Sequence, residues 1–95
     1  KDLEKKITKK TKAIMCVHIL GLPTDMTKIQ SICKKRKLIL FEDTCESLGT
    51  TYNKKHLGTF GDYGMYSFYY SHQITSGEGG MVVCGSEKNY NILKV

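Results

Sequence analysis

Apolar and polar positions fall in blocks along this chain, and the period changes from block to block. Residues 12–20, "KAIMCVHIL", form a short apolar run with some β-branching, which predicts a buried strand. Gly21 and Pro23 end it. In "DMTKIQSICKKRK", residues 25–37, Met26, Ile29, Ile32 and Cys33 recur at helical spacing. They predict a helix with those residues on its buried side and Thr24 or Asp25 as its cap. Residues 38–42, "LILFE", predict a second buried strand. Strand, helix and strand make a βαβ unit, so the two strands run parallel through a right-handed crossover.

The next stretch, "DTCESLGTTYNKKHLGTFGDYG", holds Gly49, Gly58, Gly61 and Gly64 and reads mostly as loop. Long loops at the carboxyl ends of parallel strands commonly build sites. Residues 65–71, "MYSFYYS", predict a third strand, and residues 79–85, "GGMVVCG", a fourth, reached through a turn at Gly77. "SEKNYNILKV" opens another helix, with Ser86 as cap and Glu87 in its first turn. The whole predicts an α/β chain whose mostly parallel sheet is flanked by helices.

Length and charge alter this picture little. The 95 residues allow one small domain or part of a larger one. A first residue other than Met and an end inside a helix-like pattern lead us to expect a fragment, residues 1–95 being a single partial domain. No apolar run reaches the ~20 residues that cross a bilayer. The net charge of +6 is concentrated near the start, in "KDLEKKITKKTK". Acidic residues interrupt that run and no aromatic residues interleave for base stacking, so it reads as a solvated face rather than a nucleic-acid or membrane surface. "KKRK" at 34–37 falls where a helix ends, and cations there suit the helix dipole. Cys16, Cys33, Cys45 and Cys84 contain no C-x-x-C pair, so neither a metal site nor a redox motif is signalled. They read as reduced thiols of a cytoplasmic protein.

Four features carry candidate chemistry. "FEDTCE" puts carboxylates straight after a buried strand, with Asp43 at its carboxyl end and Glu46 three residues on. "GTFGDYG" repeats glycine every third residue but is neither a dinucleotide nor a Walker pattern. Ser67 lies in "YSFYY", and His72 stands before the glycines of "SGEGG". Each alone has a structural reading: a helix cap, a turn, a satisfied hydroxyl, a lone histidine beside a hairpin.

Taken in order, "FEDTCESLGTTY…GTFGDYGMYSFYYSHQITSGEGGMVV" resembles the DegT/StrS family of sugar aminotransferases, most densely over residues 41–83. The resemblance implies part of the large domain of a fold type I, pyridoxal phosphate-dependent enzyme. It also implies a phosphate-loop segment and a small domain elsewhere, and a homodimer. By the family pattern Asp43, in the pair with Glu42, binds the pyridine nitrogen of the cofactor. A carboxylate there keeps the ring protonated and a better electron sink. Ser67 matches the serine that touches the cofactor phosphate, and Gly77 to Gly80 match a turn where side chains would obstruct the site. Glu46 stands where the aminotransferases usually have glutamine, near the ring hydroxyl.

The departure is at His72. The family's aminotransferases have lysine there, which forms the Schiff base with the cofactor and shuttles the proton. In carrying histidine the chain is similar to an offshoot, the sugar-nucleotide C3-dehydratases. One branch acts on GDP-4-keto-6-deoxymannose, with the cofactor in its pyridoxamine phosphate form. Another branch carries an iron–sulfur cluster, for which the four cysteines show no ligand spacing. The resemblance thus implies a dehydratase with His72 as acid and base, a nucleotide-sugar substrate and glutamate as amino donor. Two alternatives stay open: a sugar-nucleotide aminotransferase with an unusual base, and a non-catalytic relative.

Overall fold

The computed structural model describes residues 2–94; Lys1 and Val95 lie outside them. Strands β1 (Ala13–Val17), β2 (Ile39–Asp43), β5 (Tyr63–Ser67) and β6 (Gly80–Cys84) form one sheet in the order β1-β2-β5-β6. β1 and β2 pair in parallel from Ala13 opposite Ile39 to Val17 opposite Asp43. β2 and β5 are also parallel, with Asp43 opposite Met65. β6 reverses, pairing antiparallel to β5 from Tyr63 opposite Cys84 to Ser67 opposite Gly80.

Helix α2 (Met26–Arg36) supplies the crossover between β1 and β2. Asp25 caps it by accepting the Lys28 N–H at 3.1 Å, and Lys37 ends it in the left-handed region at φ 54°. Lys34, Lys35 and Arg36 occupy the last turn, where the exposed carbonyls favour cations. Met26 and Cys33 are buried on its inner side, with Ile29 and Ile32 packed beside them. They meet Ile14, Cys16 and Leu40 of one sheet face, joined by Leu57 from the long loop. Each large apolar side chain so enclosed contributes about 1.5–3 kcal/mol. On the opposite face Met15, Val17, Ile39 and Val82 are exposed, and nothing among the described residues covers them.

Several expected boundaries shift. The first strand stops at Val17 rather than Leu20, because Ile19–Gly21 turns and Leu20 takes φ 51°. The third strand begins at Tyr63 and stops at Ser67; Phe68 adds one further bond, its N–H to the Gly79 carbonyl at 2.9 Å, and Tyr69 and Tyr70 lie outside the ladder. Helix α3 (Glu87–Leu93) is capped by Ser86, whose Oγ accepts the Asn89 N–H at 3.1 Å. Two elements were not expected. Helix α1 (Asp2–Lys6) precedes β1. Strands β3 (Thr51–Tyr52) and β4 (Lys55–His56) form a hairpin closed by Asn53 and Lys54, both at positive φ as a two-residue turn requires.

The rest of the long loop is tightly held. Leu40 N–H donates to Asp62 Oδ2, and Asp62 N–H donates back to the Leu40 carbonyl, both at 2.8 Å. Gly64 lies so close to the turn at Gly58 that a Cβ there would sit 1.9 Å from the Gly58 carbonyl oxygen. Glu42 completes the clamp. Its fully buried carboxylate accepts N–H groups from Gly58 at 2.7 Å and from Phe60 and Gly61 at 2.6 Å each.

Candidate active site

Successive residues of a strand face opposite sides, so the adjacent carboxylates of Glu42 and Asp43 separate. Glu42 enters the core under α2. Asp43, at the carboxyl end of β2, faces a cleft of about 310 Å³ beyond the strand ends. Val17, His18 and Ile19 form one side of that cleft, and Asp43, Cys45, Glu46 and His72 the other. A second cleft of about 260 Å³ shares Glu46 and His72 with it and adds Gln73.

Short local bonds orient these groups. Asp43 Oδ1 accepts the Cys45 N–H at 3.1 Å, and the Asp43 carbonyl accepts the His18 N–H at 3.0 Å. Glu46 Oε2 accepts the Leu20 N–H at 3.1 Å. The segment bearing His72 is tied to the turn after β2 by Gln73, whose amide donates to the Glu46 carbonyl at 2.8 Å. His72 donates its backbone N–H to the Tyr69 carbonyl at 3.0 Å and sets its ring edge-on to Tyr69. Its Nδ1 is buried with no hydrogen-bond partner among the described residues. Burial, reinforced by the neighbouring Asp43 carboxylate, pushes the Cys45 thiol up to about 11, so it stays neutral at physiological pH.

The structure therefore brings Asp43, Glu46 and His72 to one cleft, 29 positions apart in sequence from first to last. It does not bring Ser67 there. Ser67 lies on the same sheet face as Asp43, but its hydroxyl accepts the Tyr69 N–H at 3.3 Å and does not line the cleft. The glycine turn also has a backbone role of its own. Gly77 has φ +83° with open space around it, and a Cβ on Gly80 would meet the Tyr66 carbonyl at 2.9 Å. The sequence does not disclose the buried polar roles of His18 and Glu42. His18 reads as one member of an apolar run, and only the strand's two-residue period hints that Glu42 and Asp43 must part.

Chemically, a carboxylate and an unpartnered imidazole nitrogen on one cleft can hold a basic heterocycle and move a proton beside it. Comparison with known proteins shows the family of the chain. The model of the DegT/DnrJ/EryC1/StrS aminotransferase family matches residues 1–95. A GDP-perosamine synthase of Escherichia coli O157:H7 is 50% identical over 90 residues, covering 95% of this chain and 25% of the relative. A GDP-4-keto-6-deoxy-D-mannose 3-dehydratase of Escherichia coli O55:H7 is 46% identical over 92 residues, with 97% and 24% covered. The solved structure of the E. coli GDP-4-keto-6-deoxy-D-mannose-3-dehydratase with bound hydrated PLP is similar at a TM-score of 0.88 and 46% identity. It covers 97% of this chain and 24% of that one. The chain thus spans about a quarter of the length of the curated relatives it matches.

Proposed function

This chain belongs to the DegT/DnrJ/EryC1/StrS aminotransferase family, and we propose that it forms the cofactor-binding part of a pyridoxal phosphate-dependent sugar-nucleotide 3-dehydratase. The substrate class is a 4-keto-6-deoxyhexose nucleotide of the GDP-4-keto-6-deoxymannose type. The observation that carries the reading is His72. It occupies the position that resembles the family's lysine, and its unpartnered Nδ1 is buried beside the cleft that holds Asp43 and Glu46.

The residues present fit the cofactor. Asp43 presents a carboxylate, oriented through Oδ1 by Cys45, that suits a protonated ring nitrogen. Glu46, held by the Leu20 N–H, offers a second acceptor for the ring substituents. In its pyridoxamine form the cofactor would supply an amine that condenses with the C4 ketone and a ring able to take up the electron pair freed by loss of its C4′ proton and return it as the C3 hydroxyl is expelled. His72 takes the proton at its imidazole and returns one to the departing hydroxyl, which leaves as water. An imidazole's ordinary pKa of ~6.5 suits a group that must act as base and then as acid. Because it forms no lasting covalent bond to the cofactor, the ring stays free for both transfers. Glutamate as amino donor and a homodimeric assembly accompany this reading.

The 50% identity to a GDP-perosamine synthase favours a second reading, amino transfer from glutamate to the same kind of 4-keto sugar. Product analysis separates the two. The full-length protein, given pyridoxal phosphate, glutamate and GDP-4-keto-6-deoxymannose, is expected to yield a 3-deoxy sugar and ammonia. An amino sugar would install the second reading, and cofactor binding without turnover of any 4-keto sugar nucleotide would point to a non-catalytic relative. Borohydride is expected to fix the cofactor covalently to His72→Lys but not to the native chain.

A further inference from the structure

His18 plays no part in the chemistry above, yet it is only 1% exposed. It follows β1 directly, and its backbone N–H on the Asp43 carbonyl continues the β1–β2 ladder one step beyond Val17. Its ring is anchored through Nδ1, while Nε2 is buried without a hydrogen-bond partner among the described residues. Nδ1 lies 3.3 Å from the Thr24 backbone nitrogen and 3.3 Å from Thr24 Oγ1. A backbone N–H can only donate, so Nδ1 is the acceptor and a neutral ring carries its hydrogen on Nε2. That Nε2 faces Glu42 Oε2 at 3.4 Å without forming a hydrogen bond to it, and Glu42 is itself anchored by the turn at 58–61.

Between the two anchors of this histidine, its own backbone and Thr24, runs a short loop. At its apex Leu20 adopts φ 51°, ψ 34°, the left-handed conformation that a branched L-residue rarely takes. Packing does not enforce it, because Leu20 is 79% and Leu22 73% exposed. Yet the N–H of Leu20 is the donor that reaches the Glu46 carboxylate.

We infer that His18 is a positioning residue. As the Nε2–H tautomer it accepts the Thr24 N–H at Nδ1, pins the far end of the 18–24 loop, and thereby holds the Leu20 N–H on the Glu46 carboxylate in the cleft. The effect on catalysis rests on the function proposed above; the geometry does not.

Substitutions separate bracing from space-filling. His18→Phe keeps a ring but leaves the Thr24 N–H without its acceptor. His18→Asn is smaller, yet its amide oxygen can stand where Nδ1 stood. Hydrogen exchange of the Leu20 amide, read in the full-length protein against amides of α2, is expected to accelerate about tenfold in His18→Phe, the scale of one lost hydrogen bond. In His18→Asn it should stay within about threefold of native. Space-filling predicts the reverse order, with His18→Asn the worse, and that order would overturn the inference. Should His18→Phe not fold, His18→Gln, which retains a donor toward Glu42 but offers Thr24 nothing, carries the same expectation. Nitrogen NMR of the native protein needs no variant: a hydrogen on Nδ1 would also overturn it. Turnover provides the functional arm. His18→Phe and Glu46→Gln should combine to no more than the larger single loss, whereas multiplied losses would show that His18 acts elsewhere. Exchange and NMR read the brace even if no sugar is turned over.

Discussion

Replacing Glu42 with alanine tests the clamp beneath the candidate site. The carboxylate takes N–H groups from Gly58, Phe60 and Gly61 at 2.6–2.7 Å, and no polar group stands ready to replace it. An orphaned buried N–H costs about 1–3 kcal/mol. Gly58 is buried, so its donor bears the full cost, whereas Phe60 and Gly61 are half-buried and water can recover part of theirs. Adding the methylene lost, about 0.8 kcal/mol, the expected loss is about 3–6 kcal/mol. Folded domains hold only about 5–15 kcal/mol in all, so the variant should be close to unfolding. Glu42→Gln keeps one oxygen for the Phe60 and Gly61 donors but turns an NH2 toward Gly58 and His18, so an intermediate loss of about 1–3 kcal/mol is expected. The assay is urea denaturation of the full-length protein, comparing midpoints at constant slope. A Glu42→Ala loss below about 1 kcal/mol would refute the reasoning, since three orphaned donors cannot cost so little.

Gly64→Ala should cost about 2 kcal/mol or more in the same assay, because its Cβ would meet backbone, the Gly58 carbonyl oxygen at 1.9 Å, instead of a side chain able to yield; an unchanged midpoint would show that the turn can move aside. Stability should also fall in alkali. Burial pushes the Cys16 thiol from 9.0 up to about 11. The raised value means that the unfolded chain loses this proton first, so the contribution is intact below pH 9 and is lost as pH rises through 11. Roughly 3 kcal/mol is at stake, and Cys16→Val should flatten that part of the pH–stability curve; superimposable native and variant curves would contradict it.

What the residue pattern discloses depends on how much of the information is local. The βαβ unit over residues 12–42 was legible because Met26, Ile29, Ile32 and Cys33 mark one helical face between two apolar runs. The end of β1 was misplaced because Ile19 and Leu20 are apolar yet exposed, and only the left-handed turn at Leu20 betrays that the strand has stopped. The run Phe68 to Tyr70 looks like strand by composition, but the ladder with β6 closes at Ser67. The two-residue strands β3 and β4 are too short for any period to register. Asp43, Glu46 and His72 were found through a family pattern, and their convergence on one cleft depends on Gln73, a tertiary tie that spacing does not reveal. The clamp made by Glu42 is not legible for the same reason: its partners at 58–61 lie far along the chain.

The reversal of direction between β5 and β6 has a geometric corollary. A parallel continuation would have carried the chain a dozen or more residues back to the opposite rim of the sheet before it could re-enter. Here the polypeptide instead leaves from Ser67 and returns at Gly80, two neighbours on the same rung, without crossing to the other rim. Residues 68–79 are thus a closed lariat whose two feet stand together, and His72 rides on it. An imidazole mounted this way is kept near the carboxylate rim by the two feet together with the Gln73 tie to the Glu46 carbonyl.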